Sequence, residues 1–583
     1  MSSLVEVAVP EMALGVLTYR TDSELCPGAR VIVEVKKHLH TGFVIGSTQK
    51  ELPPDVEVKP IAGIIDDVLM TDPDLWDLAV WAGKVCMCGV NYALRMILPK
   101  NFYTGEKVEP PPEFSDFKYL GHKQTFSEVH SFNPFDSERV NFYLSELEKP
   151  ERTLMLFPTR EAAKNFYTNI LPENLRYESV LWPYAKNWEI WQLVNAKRFR
   201  IVIGAPGAVF APIMPEKVIV EDEANANYIL PYGLKISARS LAGRRAYFLG
   251  SKLILGGRIP SLKTYMRTHI SQDIKPERKD IVIADMYSSR KEELHGIDGS
   301  IPLTFSLVRR TYTELVKGHN VMWILNRQGE SQEVYCEKCG HVLRCEKCGN
   351  VMRAFNDGEM LKCMVCGKLR ELPQKCEQCG SEFFRGKRPG IEALAKIIAL
   401  YYKRIKLYVK GSRKSSMRGL ILTTNRGLEI LGEVKPALVA WLDIDSELFG
   451  NEYDSRYRVF SRLYDSYFAG RDRDEQRKIL IQCRRSGRKL AEFLKQGFEK
   501  FGNDELRERR DFMIPPCAYT VELDSKGKIS REQIINILED NGLFVMDPGD
   551  ENMPLSVSVE SLDDILGVIE PYINELTITV KSE

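Results

Sequence analysis

No stretch of the chain reaches eighteen consecutive apolar residues, the length a helix needs to cross a bilayer, so no membrane partner is expected. The first residues, MSSLVEVAVPEM, have no basic stretch followed by an apolar one, which argues against a secretory signal. Charge of one sign is missing too. Lys and Arg number 81 against 80 Asp and Glu, a formal net charge of +1. There is thus no bulk attraction to nucleic acid, and any such binding must come from local patches. No repeat of fixed period and no low-complexity tract occurs, which excludes a solenoid. A disulfide framework is also lacking. The thirteen cysteines are odd in number, and Cys26, Cys86, Cys88, Cys483 and Cys517 share no repeating spacing. That suits a reducing cytoplasm, and the close pair Cys86/Cys88 reads as core packing.

The other eight cysteines are what the chain does have. Between Cys336 and Gly380 stand four Cys-x-x-Cys pairs: Cys336/Cys339, Cys345/Cys348, Cys363/Cys366 and Cys376/Cys379. Each is followed by a glycine (Gly340, Gly349, Gly367, Gly380) that can take the positive φ of a tight turn past a metal. Two intervening residues let both sulfurs face one ion about 2.3 Å away, and tetrahedral zinc takes four sulfurs, so two Cys₄ zinc sites are expected. Four pairs can be matched in three ways. The fourteen residues from Gly349 to Lys362 favour a nested arrangement, Cys345, Cys348, Cys363 and Cys366 on one zinc and Cys336, Cys339, Cys376 and Cys379 on the other. All-thiolate sites leave no position for water and read as structural.

At 583 residues, 44% hydrophobic and 28% charged, the chain should hold about three to five ordinary globular domains. Residues 1 to about 70 read as a β-rich module, with turns at Cys26-Pro27-Gly28 and Thr41-Gly42. Helical spacing follows from Asp74 to Leu98, then a Pro-rich linker at Pro110–Pro112. From Thr153 onwards come short, wholly apolar runs: TLMLFP, FRIVIGAP, KVIVEDE and RAYFLGS, then DIVIADM, NVMWILN, IKLYV, GLILTT and LVAWLDID. Such runs suit strands buried on both faces of parallel α/β sheets. The cysteine segment lies between NVMWILN and IKLYV as an insertion. Residues 453–510 read as helical and charged, and a small α+β region closes the chain.

The order VAVPEMALGVLTYRTD, GARVIVEVKKHLHTGFVIGS, IVIGAPGAVFAPI, VIVEDEAN, WILNRQG, the eight cysteines, LVAWLDIDSELF and RRDFMIPPCAY resembles the PriA family of replication-restart helicases over nearly the whole chain. The resemblance implies a multidomain α/β chain. Its parts would be an N-terminal 3′-DNA-binding-like domain at 1–100 and a linker or reduced winged-helix region at 101–130. A first RecA-like doubly wound domain would follow at 131–270. A second, at 271–511, would carry the zinc-binding insertion 333–384, and a small α+β domain would occupy 512–583. It also implies the nested zinc pairing, forked, branched or single-stranded DNA as partner, and contact with primosome and replicative-helicase-loading proteins.

The departures argue against a motor. Phosphoryl transfer needs a G-x-x-x-x-G-K-[ST] loop. Where the family has it, this chain reads VHSFNPFDSERVNFYL (Val129–Leu144), with Asp136 and Glu138 where phosphates belong, and no G-K-[ST] occurs anywhere. Asp222 and Glu223 correspond to the acidic pair that holds Mg²⁺ in the family, a vestigial nucleotide-binding pair here. A register one residue earlier would use Glu221, and a solvated turn is the plainer alternative. Lys252-Leu253 stands where Ala-Thr is expected, TTNRGLEILG lacks Gly-Thr-Gln and Lys-Gly, and the finger segment shrinks to FAGRDRDEQ, where Asp472 and Asp474 would compete for Arg471 and Arg473. The family's Phe-Asp pair for a strand terminus falls at Leu17-Thr18, next to Tyr19. Basic candidates for DNA phosphate are Lys36-Lys37, Arg413-Lys414 and Arg484-Arg485 with Arg488-Lys489. The expectation is a replication-restart protein that binds stalled forks without ATP-driven unwinding, two zinc ions as its cofactors and ATP–Mg²⁺ disfavoured. The alternative is an active ATP-dependent 3′→5′ DNA helicase with a divergent nucleotide site.

Overall fold

A computed structural model describes the chain except for residues 1–2, 13–14, 50–56, 105–125, 184–186, 231–235, 269–272, 287–290, 293–302, 327–330, 337, 356–359, 364–365, 400–401, 403–404, 409–416, 449–452, 550–552, 574 and 583. The Pro-rich linker and Arg413-Lys414 therefore lie outside the described residues. The chain divides into two compact units, residues 1–133, 138–269 and 506–583 in one, 134–137 and 270–505 in the other.

The first unit opens with five antiparallel strands, β1 (Ser3–Ala8), β2 (Leu17–Thr21), β3 (Arg30–Val35), β4 (His38–Thr48) and β5 (Gly63–Asp66), in the order β2-β1-β4-β3-β5. Alternating valines Val5, Val7, Val31 and Val33 close their core. Val35 pairs with His38, so the hairpin turn is Lys36-Lys37, with φ of 47° and 69°. Thr41-Gly42, expected as a turn, lies inside β4. Gly42 is needed there for packing: a Cβ would meet Val7 Cγ1 at 2.4 Å.

Helices Pro73–Val85 and Val90–Ile97 bury Leu75, Leu78, Ala82, Leu94 and Ile97 in one core with a six-stranded parallel sheet. Its strands are β6 (Ser127–Phe132), β7 (Thr153–Leu156), β8 (Ser179–Leu181), β9 (Ile201–Gly204), β10 (Lys217–Val220) and β11 (Lys252–Gly257), ordered β6-β11-β10-β7-β9-β8. Leu154, Leu156, Val218 and Val220 face this core, while Met155, Ile203, Ile219 and Ile254 fill a second core on the opposite face, the doubly wound arrangement. The run RAYFLGS, expected as a strand, ends the helix Ala238–Leu249, which Gly250 closes at φ 66°. The strand is the next run, KLILGG. Seven residues make only about two turns of helix, too short a run for periodicity to separate a helix end from a buried strand.

The second unit holds the other parallel sheet: β12 (Ile281–Asp285), then a short antiparallel ladder of β13 (Lys291–Glu292) with β14 (Leu303–Thr304), and β15 (Val321–Ile324). The chain then leaves to build an antiparallel sheet of β16 (Ser331–Cys336), β17 (Met352–Phe355), β18 (Met360–Cys363), β19 (Leu369–Glu371) and β20 (Phe384–Pro389). It returns through β21 (Ile405–Tyr408), β22 (Leu420–Thr423), β23 (Leu438–Trp441) and β24 (Lys478–Cys483). The order β12-β24-β23-β15-β22-β21 repeats that of the first sheet, first-sixth-fifth-second-fourth-third among the strands of each. β24 lies inside the stretch expected to be wholly helical. Six residues between charged flanks carry too little pattern to reveal a central strand.

The first unit ends in a four-stranded antiparallel sheet of β25 (Tyr519–Ser525), β26 (Val545–Met546), β27 (Leu555–Val559) and β28 (Leu576–Lys581), ordered β26-β27-β25-β28. Helices Arg531–Asp540 and Asp563–Ile569 close its core through Ile534, Leu538, Ile565 and Ile569.

Candidate metal centres and strand-end carboxylates

Each Cys-x-x-Cys pair folds by the same local rule. The first cysteine's amide donates to the carbonyl five residues on, and the amide of the following glycine donates back to that cysteine's carbonyl. The two distances are 2.8 and 2.9 Å at Cys336, 2.7 and 2.8 Å at Cys345, 2.8 and 3.0 Å at Cys363, and 2.8 and 2.8 Å at Cys376. Gly340, Gly349, Gly367 and Gly380 close these knuckles at φ of 67° to 75°. The knuckles gather the thiols into two groups, Cys336, Cys339, Cys376 and Cys379, and Cys345, Cys348, Cys363 and Cys366, with all sulfurs of a group within 4.8 Å of one another. Four cross-pair separations are 3.4 to 3.6 Å. A sulfur tetrahedron about 2.3 Å around an ion has edges of about 3.8 Å, so the geometry suits a four-coordinate metal.

The charges agree. Backbone amides of Cys339 and Lys338 favour the Cys336 thiolate and bring it down to about 6. At Cys339 the His341 amide pulls the same way, but burial and the neighbouring sulfurs outweigh it and push the thiol up to about 12. Four such sulfurs cannot all ionise on their own, and a dication removes the conflict. Asn350 Nδ2 lies 3.7 Å from Cys348 Sγ, an outer donor to the second group. The two clusters can hold metal ions.

In an open parallel sheet ligands bind outside the carboxyl ends of the strands. Past β10 the chain reads Glu221-Asp222-Glu223. Glu221 accepts from Arg139 Nη2 at 2.9 Å and Tyr143 Oη at 2.6 Å, both on the helix Asp136–Leu147. Burial and the Glu221 charge hold the Tyr143 phenol well above its ordinary range, so it stays a donor. Glu223, 2% exposed, takes Arg239 Nη1 at 2.6 Å and Ser261 Oγ at 3.0 Å on one oxygen and the Ser261 amide at 2.6 Å on the other. Asp222 sits at φ 53° and accepts from Asn225 Nδ2 at 2.7 Å. Glu223 is therefore on no solvated turn, and either register of the acidic pair includes a glutamate held by an arginine. Arg139 and Arg239 thus balance the charges of Glu221 and Glu223 from within the chain.

Only Asn133, Pro134 and Phe135 separate β6 from the helix Asp136–Leu147, fewer than the six residues that precede the lysine of a phosphate loop. Arg139 reaches the Asn133 carbonyl as well as Glu221. Tyr143 lies so close to β11 that a Cβ on Gly256 would meet its Oη at 1.8 Å. The part of β11 beside the acidic turn is its far end, since the Glu223 amide donates to the Gly256 carbonyl at 2.9 Å. Lys252-Leu253, compared above with Ala-Thr, opens the strand at the opposite end. Gly256 and Gly257 are the β11 residues beside the acidic turn. No motif marked Arg139, Tyr143 or Arg239; the one available signal was the i, i+4 spacing that sets Arg139 and Tyr143 on one helix face.

Lys36 and Lys37 are exposed. Arg484 instead pairs with Asp443 at 3.0 Å, Lys489 with Asp504 at 3.0 Å and Arg488 with Asp285 at 3.6 Å. Arg471 is not drawn off by its aspartate neighbours. It lies buried over the Tyr467 ring at 4.4 Å and donates to the Glu475 carbonyl, while Arg473 lies over Phe135 at 4.7 Å. Tyr19 is core, its Oη donating to the Glu34 carbonyl at 3.1 Å. Burial pushes both Cys86 and Cys88 up to about 12, consistent with packing.

A family model described as 3′DNA-binding domain (3′BD) matches residues 6–99, and one described as an uncharacterized protein conserved in bacteria (DUF2321) matches 310–427. The replication restart protein PriA of Bacillus subtilis (strain 168) is 26% identical over 393 residues, 61% of this chain and 48% of that protein. That of Thermotoga maritima is 24% identical over 371 residues, covering 60% and 50%. That of Rickettsia typhi is 23% identical over 591 residues, covering 92% and 88%. The chain thus spans about half the length of the Bacillus and Thermotoga proteins. Among solved structures, S. cerevisiae Dbp5 bound to RNA and ADP BeF3 matches with a TM-score of 0.33 at 10% identity, over 73% of this chain and 91% of that one. Among the described residues no helix is long and apolar enough to cross a membrane.

Proposed function

This chain is a divergent relative of the replication restart protein PriA, and on that footing we propose that it acts in replication restart as a DNA-binding protein without a motor. It recognises stalled or branched forks through the 3′BD-like module and recruits the proteins that reload the replicative helicase. Two structural zinc ions, held by Cys336, Cys339, Cys376 and Cys379 and by Cys345, Cys348, Cys363 and Cys366, fix the insertion as a rigid docking surface; their chemistry is to cross-link short strands too few to fold alone. Asp222 and Glu223 are remnants of a nucleotide site and perform no hydrolysis.

The observation that carries this reading is the occupation of Glu221 and Glu223 by Arg139 and Arg239. Mg²⁺ binds through carboxylate oxygens left free to face it, and an arginine of the same chain already holds each of these. The test is binding of labelled fork DNA to the zinc-loaded chain across a salt series, with and without ATP–Mg²⁺. The reading expects affinity that falls steeply with salt and does not respond to nucleotide. A large nucleotide-dependent change would favour a working helicase, and salt-independent or absent binding would remove DNA from the account.

A further inference from the structure

An edge strand offers a row of backbone N–H and C=O groups to any chain that can pair with it, and proteins usually blunt such edges with shortness, proline, a bulge or inward charge. The C-terminal sheet has two edges among the described residues. β26 is two residues long and offers little. β28 runs six residues, LTITVK, with an unbroken register against β25 from Thr520↔Lys581 to Ser525↔Leu576, no proline, and a single charge at its end. No strand among the described residues pairs with its outer side.

The strand is complementary to itself read backwards. Leu576, Ile578 and Val580 turn toward the apolar core of this sheet, so the alternate residues Thr577, Thr579 and Lys581 share the other face, and Glu575 stands at the turn just before the strand. If a second copy lies antiparallel with Ile578 on its own mate, Leu576 meets Val580, Thr577 meets Thr579 and Glu575 meets Lys581, each pair twice by symmetry. A one-residue slip would turn the apolar set outward. A two-residue slip one way sets Leu576 against Ser582 and Lys581 against Thr577, and the other way leaves Lys581 against Ile573. Only the register centred on Ile578 joins opposite charges and keeps the apolar residues together.

We propose that β28 is a docking edge for a second copy of this chain, joining two four-stranded sheets into one across a two-fold axis that passes between the two copies of Ile578. The joined surface is small, which makes the dimer weak and reversible.

Sedimentation velocity of the full zinc-loaded chain over about 1–100 μM should show monomer passing to dimer. Glu575→Lys or Lys581→Glu sets like charges across the axis twice and should weaken dimerisation about ten-fold, and the double exchange E575K/K581E should restore it. Because Lys581 also bonds Glu522 at 2.5 Å, the double variant separates lost pairing from lost folding. Ile578→Cys under mild oxidation should give a 578–578 cross-linked peptide that the wild-type chain does not. A chain monomeric throughout would overturn the proposal and leave the edge to a strand of another protein. So would a dimer indifferent to both single charge changes, or one that yields no 578–578 peptide.

Discussion

Arg239 Nη1 lies 2.6 Å from the Glu223 carboxylate, with the two side chains 5% and 0% exposed. The same solution recurs one step away, where Arg139 holds Glu221, and again past the fifth strand of the second sheet. There Asp443 takes Arg484 at 3.0 Å, and Asp445 accepts the amides of Arg484 at 2.5 Å and Gly487 at 2.8 Å. Two sheets of one strand order thus close the acidic ends of their fifth strands with internal donors. Such pairing carries a desolvation cost that only good geometry offsets. It also commits the carboxylates to holding the fold.

The first prediction concerns that commitment. Arg239→Met leaves Glu223 charged and buried and should cost about 3–5 kcal/mol in urea unfolding. The double variant R239M/E223M removes both charges and should recover most of the loss. The exposed pair Lys59–Glu34, 2.7 Å long, is the control, and removing it should cost under about 1 kcal/mol. Equal losses in the single and double variants would mean that packing, not charge, dominates at this position.

The hairpin at Lys36-Lys37 should show the opposite balance of stability and binding. Both lysines occupy left-handed backbone that suits Asn-Gly. Lys36→Asn with Lys37→Gly should raise stability by about 1 kcal/mol. If the tip meets DNA phosphates, the same change weakens fork binding and lowers the slope of log affinity against log salt by roughly 2. A more stable variant with unaltered binding would clear this turn of any role in DNA contact.

How much of this was legible depends on sequence distance. The thiol clusters could be read because a Cys-x-x-Cys-Gly knuckle is a local object, and the parallel strands because TLML, IVIG and KVIV are buried at every position. The Arg139–Glu221 pair could not, since its partners stand 82 residues apart and no motif joins them. The helix Ala238–Leu249 hid in an apolar run because Arg245, which would mark a polar face, is wholly buried against Asp74 at 2.6 Å. The Lys36-Lys37 turn was missed because backbone strain at lysine leaves no trace in composition.

Metal content tests the inner thiol cluster. Cys345 is 2% exposed and its knuckle starts the loop to β17. Cys345→Ser should halve the zinc bound per chain and expose the insertion to proteolysis, because binding and local folding are coupled. Undiminished zinc in that variant would contradict the assignment of the inner site.

Acid should loosen the first sheet through Glu146. Burial opposes its ionisation, but hydrogen bonds from Lys149, Lys252 and Lys217 outweigh that and bring it down to about 2 from an ordinary 4.5. The folded value is the lower one, so the contribution is fully present above pH about 4.5 and is lost as pH falls toward 2. Glu146→Gln should therefore be less stable than the native chain at pH 7 and lose less between pH 5 and pH 3, read by urea midpoints. Parallel loss in the two proteins would shift the acid sensitivity elsewhere.

Hydrolysis of ATP by the pure, zinc-loaded chain in the presence of fork DNA, followed together with strand separation on the same substrate, reaches the central claim most directly. The account predicts no turnover above the DNA-only blank and no separated strand, with the fork still bound. Sustained DNA-stimulated turnover coupled to unwinding would contradict it, and would require Glu221 and Glu223 to leave their arginines whenever nucleotide arrives.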